Sequence, residues 1–384
     1  MAAGDSRIVS IDFWRGFALL TIFLNHVPGH FLSAYTFRNF GVSDAAELFV
    51  LLAGVSAAFA YARPFEPGRR LRVGARIITR AFNLYVAHLA LVMVAVAVIG
   101  GFVVLSGDNR VLAWYHLDLI TETPVESLVG IALLTFQPAY LNILPLYVSL
   151  LLLAPALVLL TRRSIALGVG TSAALYLATQ LAHLGPPVWP GAGRWYFNPL
   201  AWQLLFTLGL AIGICIDRGS VRFARRSLDV LAPAYLVAAL VWARLDFPFS
   251  LEVWPLPAFI WDFDKSSLDL PRVLHVLALA YCAARLPVER WLRATRVSAP
   301  LILIGRHALP VFCLGTVLSL GAQVLRPGFD GAFSFDLLIV FVGFSLQWIL
   351  AWALEWQKGG RVADARDMRA RETMPAPQPL APEA

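Results

Sequence analysis

The first long apolar stretch of the chain carries three ionisable residues at spacings that suit one helix face. In RIVSIDFWRGFALLTIFLNH, Asp12 and Arg15 are three residues apart, and Arg15 and His26 are eleven apart. Residues three apart can pair on a helix, and eleven residues make roughly three turns, or about 16 Å along the axis. Ionisable groups inside a membrane are costly and by default indicate function. The three residues on one helix face, which we call the ionisable stripe, therefore predict a functional site. Each residue alone could be a snorkelling arginine or a hydrogen-bonded core histidine.

A carboxylate in the second apolar stretch is expected at the depth of His26. Glu47 lies about one turn inside a helix that we expect to begin near Asp44. A carboxylate beside an imidazole fixes its tautomer and raises its basicity, as general-base catalysis requires. We therefore predict that Glu47 orients His26, the alternative being a polar group at the membrane interface. Asp44 has the residue type and place of a helix cap, and Asn25 is assigned a supporting, orienting role beside His26.

Arginines near the opposite end of these helices suit an anionic ligand. Six arginines lie between residues 63 and 80, and contact with anionic lipid accounts for most of them. Arg80 differs because we expect it at the start of the third helix, where it could face a ligand. Arg306 is expected about two turns inside the ninth helix, with the same possible role.

One long loop, LDFPFSLEVWPLPAFIWDFDKSSLDL, mixes aromatic rings with carboxylates. Sugar binding uses this combination, because a flat ring offers a stacking face and a carboxylate accepts hydrogen bonds from hydroxyl groups. The alternative is an aromatic belt at the membrane interface. The candidates for sugar contact are Trp254, Trp261, Asp262 and Asp264.

The composition indicates which elements must position these residues. The 384 residues are 59% hydrophobic and 14% charged, whereas soluble domains are about 45–50% apolar and about 25% charged. The three cysteines have no paired spacing and predict neither disulfides nor a metal site. We predict an all-α, polytopic transmembrane bundle as a single domain over 1–358, with a disordered, Pro- and Ala-rich tail over 359–384. About ten stretches are long enough to span a bilayer, at 11–28, 44–62, 82–105, 142–161, 164–184, 200–216, 228–245, 270–286, 299–322 and 335–355.

The basic residues predict the orientation of the bundle. Of 31 Lys and Arg residues, 22 fall on one side of the predicted spans and 7 on the other, alternating loop by loop. Basic loops face the cytoplasm, so both termini are predicted to be cytoplasmic. Because the net charge of +7 lies in these loops, it indicates topology and not nucleic-acid binding.

Several blocks of the sequence resemble a known family. The pattern R-x4-D-x2-R-x10-H over residues 7–26 resembles the first helix of the integral-membrane acyltransferase superfamily, family three. The blocks DFWRGFALLTIFLNH, FGVSDAAELFVLLAGVSAAFAY, YLNILPLYVSLLLLAP, FNPLAWQLLFTLGLAIG and LIGRHALPVFCLGTVLSL, in this order and spacing, resemble more closely the OpgC proteins within that superfamily. No single block carries the resemblance, which extends from residue 7 to about residue 320.

The resemblance implies a function and a set of roles. It implies an enzyme of the bacterial inner membrane that moves an acyl group, succinyl in this family, from a cytoplasmic acyl-CoA donor to a periplasmic glucan, without a metal. His26 would be the general base, with an acyl-histidine intermediate as an open alternative, and Glu47 would orient it. Arg15, Arg80 and Arg306 would hold coenzyme A phosphates, which guanidinium groups match well.

Other functions stay open at this stage. The acceptor could be another cell-envelope polysaccharide. A proton-coupled transporter also uses intramembrane His, Glu and Arg, but usually shows paired inverted repeats, which the sequence lacks. A structural scaffold would not need the ionisable stripe of the first helix. Expected partners are the polysaccharide and membrane lipids, and the sequence predicts no oligomeric state.

Overall fold

A computed structural model describes residues 9–27, 30–220, 226–245, 256–287, 292, 295, 298–326 and 332–372, with side chains described up to residue 359. Over these ranges the protein is built of helices and contains no strand, apart from one isolated β-bridge between Pro187 and Arg194. The predicted all-α helical bundle is therefore confirmed.

Fourteen α-helices of the described ranges are numbered here in chain order. They are α1 (Val9–Asn25), α2 (Ala45–Ala57, continued by a π-helical turn at Ala58–Ala62), α3 (Arg70–Ser106), α4 (Arg110–Trp114), α5 (Asp118–Glu122), α6 (Pro124–Ala132), α7 (Ile143–Arg163), α8 (Ile165–Leu181), α9 (Pro199–Asp217), α10 (Arg226–Leu245), α11 (Leu270–Arg285), α12 (Ala299–Arg306), α13 (Ala308–Leu325) and α14 (Phe333–Glu372).

Many of these helices have the length and composition of membrane spans. Within the described ranges, seven are long and apolar enough to cross a bilayer: α2 with its π-helical turn, α3, α7, α9, α10, α13 and α14. Three further predicted spans coincide with the shorter helices α1, α8 and α11, of 17, 17 and 16 residues. Several long apolar helices thus indicate a membrane protein. Ten crossings and two cytoplasmic termini stay predictions.

Two boundaries differ from the sequence-based prediction. The predicted ninth span is two helices, because α12 ends at Arg306 and α13 begins at Ala308 with His307 between them. Arg306 and His307 therefore lie at a break and not inside a continuous helix. Helix α3 begins at Arg70, so Arg80 lies ten residues inside it and not at its start. Helix α14 is assigned through Glu372, and the predicted disorder of the tail beyond it falls on residues outside the described ranges.

Glycines allow two pairs of helices to approach at backbone distance. Where α2 crosses α9, a Cβ added to Gly54 or Gly209 would collide with backbone atoms of the facing helix. Where α1 crosses α12, the same holds for Gly16 and Gly305. Small residues at such crossings let helices pack closely in lipid, where no hydrophobic effect drives them together. Helix α1 is thereby fixed against α2, α12 and α13, and these four helices position the candidate site.

Candidate active site

Two cavities lie along α1, one at each end. The first, which we call the His26 cavity, has a volume of about 670 Å³ and lies between the C-terminal end of α1, the start of α2, residues 136–143 and α13. Its volume is within the range of small-molecule sites. His26, Asp44, Tyr140 and Lys265 are among the residues that line it.

The imidazole of His26 is held in a defined orientation by the backbone of its own helix. Its Nδ1 lies 2.6 Å from the carbonyl oxygen of Ile22. Because a carbonyl oxygen only accepts hydrogen bonds, Nδ1 must donate, which leaves the lone pair of the neutral ring on Nε2. No hydrogen bond within the described ranges engages Nε2. The ring also meets Tyr140 edge-on, with centroids 5.3 Å apart. His26 thus presents a basic nitrogen at the wall of the cavity.

A network from other helices fixes the backbone of His26. The Gln323 side chain, on α13, donates from Nε2 to the His26 carbonyl oxygen, and the hydroxyl of Tyr115 donates to Gln323 Oε1. The ring of Tyr115 also lies 5.9 Å from that of Tyr140, which contacts His26. Sequence reasoning missed these residues. Gln323 was detectable as an amide in an apolar span, where polar groups are expensive.

The structure places Glu47 with Arg272 and not with His26. Glu47 is fully buried. Its Oε1 accepts from Arg272 Nε at 2.6 Å and from Arg272 Nη2, and its Oε2 accepts from the backbone N–H of Asp44 at 3.0 Å. The geometry therefore does not support the predicted orienting contact, whose place is taken by the Ile22 carbonyl. The sequence argument considered only α1 and α2, whereas Arg272 comes from α11.

Asp44 is a helix cap, as predicted, and also binds a lysine. Its Oδ1 accepts from the Ala46 N–H at 2.8 Å and completes a capping box with Glu47. Its Oδ2 lies 2.5 Å from Lys265 Nζ. Burial acts to lower the pKa of Lys265, but the carboxylates of Asp44 and Glu47 outweigh it and raise the pKa above its ordinary value. Lys265 therefore stays charged in the cavity wall. Sequence reasoning did not single out Lys265.

The predicted sugar-binding loop reaches the cavity through Lys265 and not through the residues that were expected. Trp254 lies outside the described residues. The indole N–H of Trp261 donates to the Leu256 carbonyl at 3.0 Å, and Asp262 Oδ1 accepts from the next backbone N–H at 2.7 Å. Asp264 accepts hydrogen bonds from Ser266 and Ser267 within the loop. Neither Trp261 nor these two carboxylates lines either of the two cavities described here.

The second cavity gathers the three arginines that were predicted to face an anion. We call it the arginine cavity; it has a volume of about 420 Å³ and is lined by Arg15, Arg80, Arg306 and Lys358, among others. Arg306 lines it because the break at His307 ends α12 there. A wall with four cationic side chains favours a multiply charged anion.

Acidic partners hold two of these arginines in place. Arg15 donates from Nη1 to Asp12 Oδ1 at 3.2 Å and from Nη2 to the Ser56 hydroxyl. The predicted pairing of Asp12 with Arg15 is therefore present in the structure. Arg306 Nη1 lies 3.3 Å from Glu355 Oε1. Arg80 is exposed and has no ion pair within the described ranges, so its guanidinium is available to a ligand.

The two cavities share a thin apolar partition. Ile143 and Phe312 line both of them, and both side chains are buried. Arg15 lines one cavity and His26 the other, on the same helix. A ligand that is anchored by the arginines and extends past Ile143 and Phe312 would therefore come to the cavity of His26.

Comparison with known proteins identifies the family of this chain. No curated protein and no solved structure matches it. The family model described as OpgC protein matches residues 7–359, which is nearly the whole chain. The predicted resemblance to OpgC is thereby confirmed, while the link to acyltransferase family three stays a prediction. The chain belongs to the OpgC protein family.

Proposed function

We propose that this protein is a membrane-embedded O-acyltransferase that moves a succinyl group from cytoplasmic succinyl-CoA to a hydroxyl of a periplasmic glucan. The observation that carries the proposal is the pair of cavities along α1. One is lined by cations, the other by an imidazole with a free lone pair, and they share the partition of Ile143 and Phe312. Family membership supports the acyl donor and the glucan acceptor.

The arginine cavity would bind the phosphate groups of the donor. Coenzyme A carries phosphates at one end and its thioester at the end of a long flexible arm. Arg15, Arg80 and Arg306 offer guanidinium groups that can each make paired hydrogen bonds to phosphate oxygens. With the phosphates held there, the arm would extend past Ile143 and Phe312 toward His26.

His26 would act as general base and then as general acid. Its Nε2 takes the proton from the glucan hydroxyl while the hydroxyl oxygen bonds to the thioester carbonyl carbon. The carbon–sulfur bond breaks, and its electron pair leaves on sulfur. The imidazolium then returns the proton to the thiolate, which gives a glucan ester and a free thiol. The Ile22 carbonyl stabilises the imidazolium because it accepts from Nδ1 in both protonation states.

The charge of the His26 cavity favours an acyl group with a terminal carboxylate. Arg38 and Arg194 line this cavity and have no ion pair within the described part of the chain. Lys265 is balanced by Asp44, so the two arginines leave the wall with a net positive charge. A succinyl chain places a carboxylate two methylene groups beyond the ester carbonyl, which suits such a wall, whereas an acetyl group offers no charge.

Transfer from labelled succinyl-CoA to glucan by the purified protein tests the proposal. The parent protein should leave label on the glucan. The variant His26→Gln should bind succinyl-CoA as the parent does but lose at least about 100-fold of transfer, since general-base catalysis contributes about 10²–10⁴-fold. The variant Arg80→Gln should instead weaken donor binding by about 10-fold or more.

Two outcomes would count against the proposal. Near-parental transfer by His26→Gln would make this histidine structural. Absence of label on the glucan, together with glucan or proton movement across proteoliposomes, would favour a transporter.

A further inference from the structure

Two amides on the wall of the His26 cavity hold side-chain oxygens that lack hydrogen-bond partners. Gln137 is 9% exposed, and its Nε2 donates to the Leu134 carbonyl at 2.9 Å. This bond fixes the amide orientation, so Oε1 is the oxygen that is buried without a partner. Oδ1 of Asn25, the residue before His26, is also buried without a partner. Such unpaired buried acceptors are rare and call for an explanation.

The missing partner must donate hydrogen bonds without carrying a positive charge. Oε1 of Gln137, whose orientation the bond to Leu134 fixes, is an acceptor, so an ionised carboxylate, which has no donor, cannot satisfy it. An ammonium group would be repelled by Arg38, Arg194 and Lys265, which line the same cavity. Neutral hydroxyl groups meet both conditions, and a polyol offers several of them on one face.

The loop that carries Gln137 is held in a conformation that needs support from its surroundings. Leu134 and Tyr140 both have left-handed backbone angles, with φ of 62° and 68°, which is uncommon for such side chains. The loop is tied down by hydrogen bonds from Phe136 N to the Gly130 carbonyl and from Ala139 N to the Tyr115 carbonyl. Strained segments of this kind concentrate at functional sites. Gln137 and the Tyr140 ring, which this loop carries, lie at the wall that His26 also lines.

We propose that Gln137 and Asn25 form the subsite that binds hydroxyl groups of the acceptor sugar. Gln137 is a positioning residue, which holds the sugar ring so that one hydroxyl lies near His26. The assignment rests on the proposed function where it names the sugar as an acyl acceptor. It places the acceptor on the 136–143 side of the cavity and not on the loop of Trp261, Asp262 and Asp264.

Binding of a neutral glucan oligosaccharide to the full-length protein in nanodiscs tests the subsite without acyl transfer. The informative pair is Gln137→Met and Gln137→Glu. Both lose the hydrogen bond to Leu134, but Glu keeps an acceptor oxygen, which the positive wall tolerates. Gln137→Met should bind the oligosaccharide roughly 3- to 10-fold more weakly than the parent, because a neutral hydrogen bond is lost. Gln137→Glu should bind within about 2-fold of the parent.

The control Thr135→Val separates loop integrity from sugar contact. Thr135 lies outside the cavity wall and hydrogen-bonds the Trp189 carbonyl at 3.0 Å, so its loss loosens the loop alone. Thr135→Val should bind the oligosaccharide as the parent does, and succinyl-CoA should bind all three variants equally. Parental binding by Gln137→Met, or equal losses in all three variants, would overturn the subsite.

A transfer assay on the same proteins distinguishes this inference from the proposed function. Gln137→Met should raise KM for the glucan and leave kcat within a few-fold of the parent. Oligosaccharide binding that depends on Gln137, with no acyl transfer by the parent, would overturn the proposed function but keep the subsite. Acyl transfer by the parent, with an unchanged KM for the glucan in Gln137→Met, would overturn the subsite but keep the proposed function.

Discussion

Glu47 and Arg272 form an ion pair that is almost completely withdrawn from solvent. Glu47 is fully buried, and the Arg272 side chain is 11% exposed. The backbone N–H of Asp44 also donates to the carboxylate. Removing one partner of such a pair leaves an uncompensated buried charge, whereas replacing both by apolar groups is often tolerated. The pair joins α2 to α11 behind the His26 cavity and supports the wall that Asp44 and Lys265 form.

The variant Glu47→Gln should therefore lose stability more than catalysis. We expect up to about 3–5 kcal/mol of destabilisation, because Arg272 loses its closest carboxylate and keeps only Asp44, at 3.9 Å. Transfer per folded molecule should stay near the parental value. The double variant Glu47→Leu/Arg272→Met should recover most of this stability. Thermal unfolding in detergent together with the transfer assay checks both. A Glu47→Gln protein of parental stability but low transfer would restore a role for this carboxylate in orienting His26.

At the scale of elements, the crossing of α1 and α12 determines where Arg15 lies. Gly305 and Gly16 allow the two backbones to touch, and Arg15 donates to the Gly305 carbonyl at 3.3 Å. The same contact therefore sets both the distance between the two helices and the position of Arg15, which we predict to bind a phosphate group. A side chain at Gly305 must push the helices apart.

The variant Gly305→Val should be destabilised by at least about 1–3 kcal/mol, the usual cost of overpacking, and should bind succinyl-CoA more weakly. The matched control is Gly100→Val in α3, where an added Cβ has no atom within 4 Å. Because both changes place valine inside a helix, the difference in stability and donor affinity between the two variants reports the effect of the helix crossing alone. Unfolding temperature and donor affinity are the measurements. Equal behaviour of the two variants would contradict the role of the crossing.

Local sequence patterns predicted the helices, and the contacts within one helix, better than the contacts between helices that are distant in the chain. The spacing of Asp12 and Arg15 was sufficient to predict their pairing, and the identity of Asp44 its capping role, because both contacts lie within one helical turn. The break at His307 was missed, although Arg306 and His307 interrupt the apolar run there. Pro310 was the available signal, because a proline cannot bond to the carbonyl four residues before it and clashes with that carbonyl. Arg272 lies 225 residues after Glu47, and no spacing rule relates two helices so far apart in the chain. The unpaired oxygen of Gln137 likewise arises only when the loop folds.

At the scale of the whole molecule, the orientation in the membrane decides which cavity meets which substrate. The basic residues predict that the loop before α3 is cytoplasmic and that the loop before α11 is periplasmic. Reporter fusions at Arg70 and Asp264 should give opposite signals. Arg70 begins α3, and Asp264 lies beside Lys265 of the His26 cavity, so the two sites report on the two cavities. The same signal from both would contradict the ten-span arrangement.

The partition of Ile143 and Phe312 has an electrical consequence. If water enters the protein from both sides, the membrane voltage falls mainly across these two side chains. A charge that crosses such a field gains or loses about 2.3 kcal/mol per 100 mV. A succinyl group carries a negative charge outward, so an inside-negative voltage favours its passage, while an acetyl group is indifferent. In proteoliposomes with a potassium diffusion potential, succinyl transfer should therefore accelerate by up to about 50-fold at 100 mV, and acetyl transfer should not. If the voltage changed the rates of succinyl and acetyl transfer equally, the voltage drop would lie elsewhere in the protein. If only succinyl transfer accelerated, the membrane voltage would drive the modification of the glucan at this partition.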